Sequence, residues 1–148
     1  TEAFLSDFEI NVIGAVSALK SVLNLLNASS NAAVVFYSTV AVQTGMPFHS
    51  SVSASKGAIE GLTRSLAAEF APKIRVNAIA PSLVDTPLAS KFLNNEMKLE
   101  KANERHPLGR VGNAKELAQA TAFLLGDQSS WMTGRILQLD GGIGNLKT

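Results

Sequence analysis

Lys56 is the side chain in this sequence best suited by type to tune proton chemistry. It closes the run Ser50-Ser51-Val52-Ser53-Ala54-Ser55-Lys56, which opens an apolar helical pattern, and a short apolar stretch ending in Tyr37-Ser38-Thr39 precedes it. An ammonium beside a phenol lowers the phenol's pKa toward working pH, and residues four apart on a helix share a face. The residue four before Lys56 is Val52, which neither gives nor takes a proton. Ser51 and Ser53 do not simply replace it, because adjacent helix residues point about 100° apart. A hydroxyl at the end of the preceding stretch, on Ser38 or Thr39, would hold a substrate oxygen. The single tyrosine is Tyr37, and strand alternation turns it to the face opposite Ser38. Taken alone, Lys56 reads as a solvated helix lysine, and its surroundings give it weight.

The elements that must position these groups follow from periodicity. Residues 1–28 read as one helix, with Phe8, Val12, Ala15, Leu19, Val22 and Leu26 at helical spacing and Ser6 to Glu9 in the form of a capping box. The β-branched run 32–37 reads as a buried parallel strand. A second long helix is expected from about Ser51 to Phe70. Its stripe of small residues, Ala54, Gly57, Ala58, Gly61, Ser65 and Ala68, suggests close approach of another backbone, preferably a second subunit across a two-fold axis. Residues 74–80 form the next strand, stopped by Pro81. Pro87 to Phe92 suits a short helix, and the polar stretch 94–105 is expected to be mobile or ligand-responsive. Asn113 caps a third long helix with Glu116 three residues on, and 135–139 is the last strand, closed by Asp140-Gly141-Gly142. Helices alternating with strands predict an α/β domain: a three-stranded parallel sheet with flanking helices and right-handed crossovers.

Composition limits the possibilities. The chain has 148 residues, 46% hydrophobic and 17% charged, which suits one domain with a sizeable core. A net charge of +1 gives no footprint for nucleic acid or an anionic membrane surface. No membrane span or secretory signal is expected. Without cysteine there are no disulfides or thiolate metal sites, which fits a reducing, cytoplasmic setting. His49 and His106 are not at metal-ligand spacing; both read as structural or surface residues, and no metal site is expected. Low charge in a small chain suggests apolar surface buried against another subunit.

Read together, these landmarks resemble the C-terminal half of a short-chain dehydrogenase/reductase. Asn11-Val12-Ile13-Gly14 is similar to the segment carrying that family's catalytic Asn. Counting back from Val52, which stands at the family's Tyr position, its catalytic Ser falls at Thr39, with Ser38 directly before it. Lys56 matches the family's Lys. Arg75 to Pro81 resembles the segment leading into a Pro-Gly pair, with Ser82 in place of the Gly, and Val84-Asp85-Thr86 resembles the loop that meets the cofactor. His106-Pro107-Leu108-Gly109-Arg110, Thr133-Gly134 and Asp140-Gly141-Gly142 match later landmarks.

The resemblance implies a partial Rossmann-like fold holding the last three strands of a doubly wound sheet, in one domain over residues 1–148. It implies NAD or NADP as cofactor, with Lys56, Pro81, Val84 and Thr86 on the cofactor side and Asn11, Ser38, Thr39 and Lys56 on the catalytic side. The family's glycine-rich strand-to-helix turn is not in this sequence. The isolated chain is therefore expected to be impaired or inactive as an oxidoreductase, with NAD or NADP bound by resemblance and no bound cofactor as the alternative for the chain alone. It is also expected to assemble, as a homo-oligomer or with a separate N-terminal half. The competing expectation is a non-catalytic, homo-oligomeric binding module; a third is a ligand pocket in 82–105 without chemistry.

Overall fold

The computed structural model describes residues 1–146. Its main sheet holds β1 (Ala32–Tyr37), β2 (Ile74–Pro81) and β5 (Ile136–Leu139), all parallel and ordered β1-β2-β5. Between β2 and β5 in sequence, β3 (Val84–Asp85) pairs in parallel with β4 (Gly112–Asn113), a two-residue ladder not expected from the sequence. The α/β, three-stranded parallel architecture is the expected one.

β2 is the axis of the fold. From Val76 to Ala80 every residue is fully buried. A strand paired on both edges and covered on both faces must be filled almost continuously by apolar residues, which Ile74 to Ala80 mostly are. Two polar residues break the pattern, and each ties β2 to the C-terminal segment. Asn77 donates from Nδ2 to Met132 O at 2.9 Å and accepts at Oδ1 from Arg135 N at 3.0 Å. Arg75 donates to Leu124 O at 2.9 Å and Ser129 Oγ at 2.8 Å from Nη1, and to Gly126 O at 3.1 Å from Nη2. Those carbonyls end α6 (Ala114–Leu125), so a guanidinium caps a helix C-terminus, where free carbonyls and the helix dipole favour a cation.

One long helix, α1 (Glu2–Ala28), lies against β1, with Leu23 and Leu26 packed on Ala32, Ile74 and Val76. It starts at Glu2, with Leu5 N donating to Thr1 O at 3.1 Å. The capping box expected at Ser6 therefore does not form: Glu2-Ala3-Phe4-Leu5 are all compatible with helix, and the helix runs straight through Ser6. At Glu9–Ile13 the helix widens into a π turn, in which Gly14 N donates to Glu9 O. The helix is long and apolar enough to cross a membrane by composition, with mean hydropathy reaching 1.3, a property not expected from the sequence reading. In this fold it covers one end of a sheet with one face and leaves Leu5, Ile10 and Leu25 exposed.

After the short α2 (Ala41–Thr44), α3 (Ser50–Phe70) packs along β2. Its small-residue stripe is not explained by close packing within the chain. A Cβ on Gly57 would meet Val42 Cγ1 at an ordinary 3.8 Å, and one on Gly61 would meet nothing within 4 Å. The polar stretch expected to be mobile is mostly helical. A turn over Pro87–Ala89 leads into α4 (Ser90–Leu93), and α5 (Glu96–Glu104) follows. Asn95 Oδ1 accepts from Lys98 N at 2.9 Å and caps α5, so capping and helix-forming side chains supply the order that an apolar stripe usually gives. The expected box at α6 is present, with Asn113 Oδ1 accepting from Glu116 N at 3.1 Å and Asn113 N donating to Glu116 Oε2 at 2.9 Å.

Candidate functional site

The chemistry-bearing residues gather at the carboxyl ends of β1 and β2, where open parallel sheets bind their ligands. Past Tyr37 the chain keeps following β2: Ser38 N donates to Ile79 O at 2.7 Å and Val40 N to Pro81 O at 3.0 Å. Thr39 is thus held between two backbone bonds. Ser38 and Thr39 then diverge. Ser38 is buried and donates to Glu60 Oε1 at 2.8 Å, an oxygen that also accepts from Gln43 Nε2 at 2.7 Å. Thr39 Oγ1 accepts from Ala41 N at 3.3 Å and lines an open cavity of about 440 Å³. Of the two hydroxyls, only that of Thr39 faces a space where a ligand fits. Tyr37 lies on the opposite face, as alternation requires, with its hydroxyl bonded to Thr121.

Lys56 lies beside this strand end and donates from Nζ to Tyr37 O at 2.9 Å. Burial lowers its pKa from the usual lysine range, partly opposed by the carboxylate of Asp7 on α1. An ammonium has three donors and one is used here, leaving two for a ligand's hydroxyls. Val52, one helical turn earlier on α3, contributes only its carbonyl, which accepts from Ser55 Oγ at 3.0 Å. That same Ser55 Oγ accepts from Asn11 Nδ2 at 3.2 Å. Asn11 sits inside the π turn of α1, the kind of widened turn that recurs at functional sites. Two polar contacts thus flank this part of α3: Asn11 to Ser55 on the side of α1, and Lys56 to the Tyr37 carbonyl at the end of β1.

On the second side, Pro81 ends β2, Val84 is buried in β3, and Thr86 follows. Thr86 Oγ1 accepts from Ala89 N at 3.3 Å and caps the turn that Pro87 opens. Its hydroxyl is thus occupied by a local role. Among the described residues no group of three or more His, Cys, Asp or Glu side chains is arranged to hold a metal ion.

Two features were not visible in the sequence. Glu60 is a buried carboxylate that organises Ser38, Gln43 and Arg64 behind the strand end. The other is a contact between Ser82 and His106. His106 is buried; its Nδ1 lies 2.7 Å from Ala102 O and its Nε2 lies 2.9 Å from Ser82 Oγ. A carbonyl only accepts, so Nδ1 carries a proton, and in the neutral ring Nε2 accepts from the Ser82 hydroxyl. Gly141, at φ 62°, lies against this ring, where a Cβ would come within 3.3 Å of His106 Cδ2. The only available signal for the pairing was that Ser82 stands where the family resemblance expects glycine.

Residues 1–144 match the family model described as enoyl-(acyl carrier protein) reductase. The chain belongs to the short-chain dehydrogenase/reductase family. It is 37% identical over 144 residues to a 2,5-dichloro-2,5-cyclohexadiene-1,4-diol dehydrogenase of Sphingobium indicum, covering 95% of this chain and 58% of the relative. It is 36% identical over 135 residues to a 3-oxoacyl-[acyl-carrier-protein] reductase of Thermotoga maritima, covering 90% of this chain and 54% of that one. The ligand-free aldohexose dehydrogenase of Thermoplasma acidophilum superposes with a TM-score of 0.91 at 30% identity, over 100% of this chain and 63% of that structure. An NADPH-bound short-chain oxidoreductase of Pseudomonas aeruginosa, described as containing an atypical catalytic center, superposes at 0.90 with 25% identity, over 99% and 59%. The chain thus spans little more than half the length of the family members it matches.

Proposed function

We propose that this chain forms the substrate side of an NAD(P)-dependent oxidoreductase acting on a carbonyl or alcohol, with chemistry impaired at Val52. The observation that carries this reading is the placement of Thr39 just past β1, lining a cavity of about 440 Å³, with Lys56 bonded to the carbonyl of Tyr37 two residues before it and Asn11 bonded to Ser55, the neighbour of Lys56 on α3. Thr39 donates its hydroxyl proton to the substrate oxygen and orients it. Lys56 uses its two free donors on the nicotinamide ribose, and its half-buried charge favours a developing oxyanion nearby. The bound nicotinamide supplies or accepts hydride. Pro81, Val84 and Thr86 stand on the cofactor side, Val84 packing and Thr86 shaping the turn.

Val52 stands where the family's Tyr gives or takes the proton. Losing one general acid costs about 10²–10⁴ in rate, so reduction by this chain is slow, with water as the proton source. Calorimetric titration with NADH and NADPH tests the first half of the reading, and saturable binding supports it. Val52→Tyr tests the second half, with a gain of about 10²–10⁴ in carbonyl reduction expected where cofactor binds. No cofactor binding at millimolar concentration overturns catalysis by this chain.

A second reading, a non-catalytic homo-oligomeric module, is favoured by one observation. The stripe on α3 and residues Leu5, Ile10 and Leu25 on α1 are small or apolar and uncovered by the rest of the chain. A monomer mass by light scattering at micromolar concentration would remove it. The cysteine-free sequence supports a cytoplasmic setting under either reading.

A further inference from the structure

The cavity beside Thr39 carries a charge pattern that carbonyl chemistry alone does not call for. Lys91, Lys98, Lys101 and Arg105 line it together with His49 and His106, and neither Asp nor Glu does. α5 sorts its charges by face. Lys98, Lys101 and Arg105 follow i, i+3, i+7 on the cavity side, whereas Glu96, Glu100 and Glu104 follow i, i+4, i+8 on another. Among the described residues the ion pairs are Arg64–Glu60 and Arg110–Glu116, so none of the four cavity cations has a carboxylate within ion-pair distance. Their local partners are neutral: Lys98 Nζ donates to Lys91 O at 3.1 Å and Asn94 Oδ1 at 3.0 Å, and Lys91 lies over the Phe92 ring. Like charges around one concavity repel each other and focus a positive potential into it. A chain with a net charge of only +1 does not concentrate four of its cations there by general basicity.

We propose that this cavity takes a carbonyl compound bearing an anionic group, a carboxylate or phosphate. Lys98, Lys101 and Arg105 hold the anion, and the carbonyl end lies at Thr39. The inference deepens the oxidoreductase reading by naming its substrate class, and it rests on that reading for the role of Thr39. The cavity's size suits a small molecule rather than a macromolecular face.

The test is binding of 4-oxopentanoate, and separately of its neutral methyl ester, to the 148-residue protein by calorimetry. The acid should bind saturably, the ester at least about tenfold more weakly, and the difference should shrink as salt rises from about 0.05 to about 0.5 M. The double variant Lys98→Gln/Lys101→Gln should lose the preference with its melting curve unchanged, because both side chains are exposed. Lys20→Gln/Lys73→Gln, on other surfaces, should keep it. Equal affinity for acid and ester, or a preference that survives the Lys98/Lys101 variant, overturns the proposal. So does competition in which NADPH displaces the acid while NADH does not, which would assign the cations to a cofactor phosphate. Acid-selective binding without turnover supports the cavity and counts only against the catalytic reading. Turnover confined to uncharged carbonyls does the reverse.

Discussion

The two walls of the cavity are built by opposite means. One is the end of β1 and β2, where Thr39 is held between backbone bonds and β2 is buried from Val76 to Ala80. The other is the α4–α5 segment, whose exposed residues include Lys91, Lys98 and Lys101 and whose only buried side chain on α5 is Ala102. The first wall draws its rigidity from burial and the second from caps. Local stability follows buried contacts, so the second wall opens at lower free energy than the first. Under the proposed function, a fixed strand end would place the Thr39 hydroxyl and a softer charged segment would face the rest of the ligand, a division of labour by stability.

The sharpest way to break that contrast is Asn77→Ala. It removes a fully buried side chain and leaves Met132 O and the Arg135 amide without their partner in a part-buried setting, and a loss of about 1–3 kcal/mol is expected from urea unfolding. A loss below about 1 kcal/mol would mean that the strand end is not what anchors the C-terminal segment. Asn95→Ala should cost about 1 kcal/mol by removing the cap of α5, and the cost should appear locally. Amide exchange should quicken in residues 96–104 and stay unchanged in β2; uniform quickening would erase the distinction between the walls.

The smallest effect lies outside both walls, at the start of α6. The Arg110 guanidinium, with help from the Asn113 amide, holds the Glu116 carboxyl at about 2, below the ordinary 4.5. A depressed carboxylate contributes its stability in full above its unfolded pKa and loses it as pH falls through the folded one. The stability advantage of the natural chain over Glu116→Gln should therefore fade between about pH 4.5 and 2, and weaken with salt because the pair is exposed. A difference constant across that range would show that the Arg110–Glu116 pair adds nothing to the cap.

What was legible in the sequence was whatever depends on near neighbours. The strand at 32–37, the helix ending at Phe70 and the Asn113–Glu116 box follow from periodicity and capping chemistry, and all three are present. Ser6 shows the limit of that logic: a capping pattern marks a helix start only if the residues before it resist helix, and Glu2 to Leu5 do not. Residues 94–105 show the converse, since a helix made by caps and helix formers without an apolar stripe has no periodic signal to read. The clustering of Lys98, Lys101 and Arg105 was equally hidden, because a run of mixed charge gives no sign of which face meets a cavity.

By itself the sequence determined the parallel α/β order, the family, and the positions of Thr39 just past the strand at 32–37 and of Val52 one helical turn before Lys56. These depend on spacing along a helix or strand, which local geometry fixes. Only the tertiary structure decided that Ser38 turns inward to Glu60 while Thr39 faces the cavity, that Ser82 meets His106, and that four cations share one concavity without a carboxylate. Those are contacts between residues far apart in the chain. They exist because β2 is buried on both faces, so the groups at its end can turn only toward the partners that the packed helices leave open.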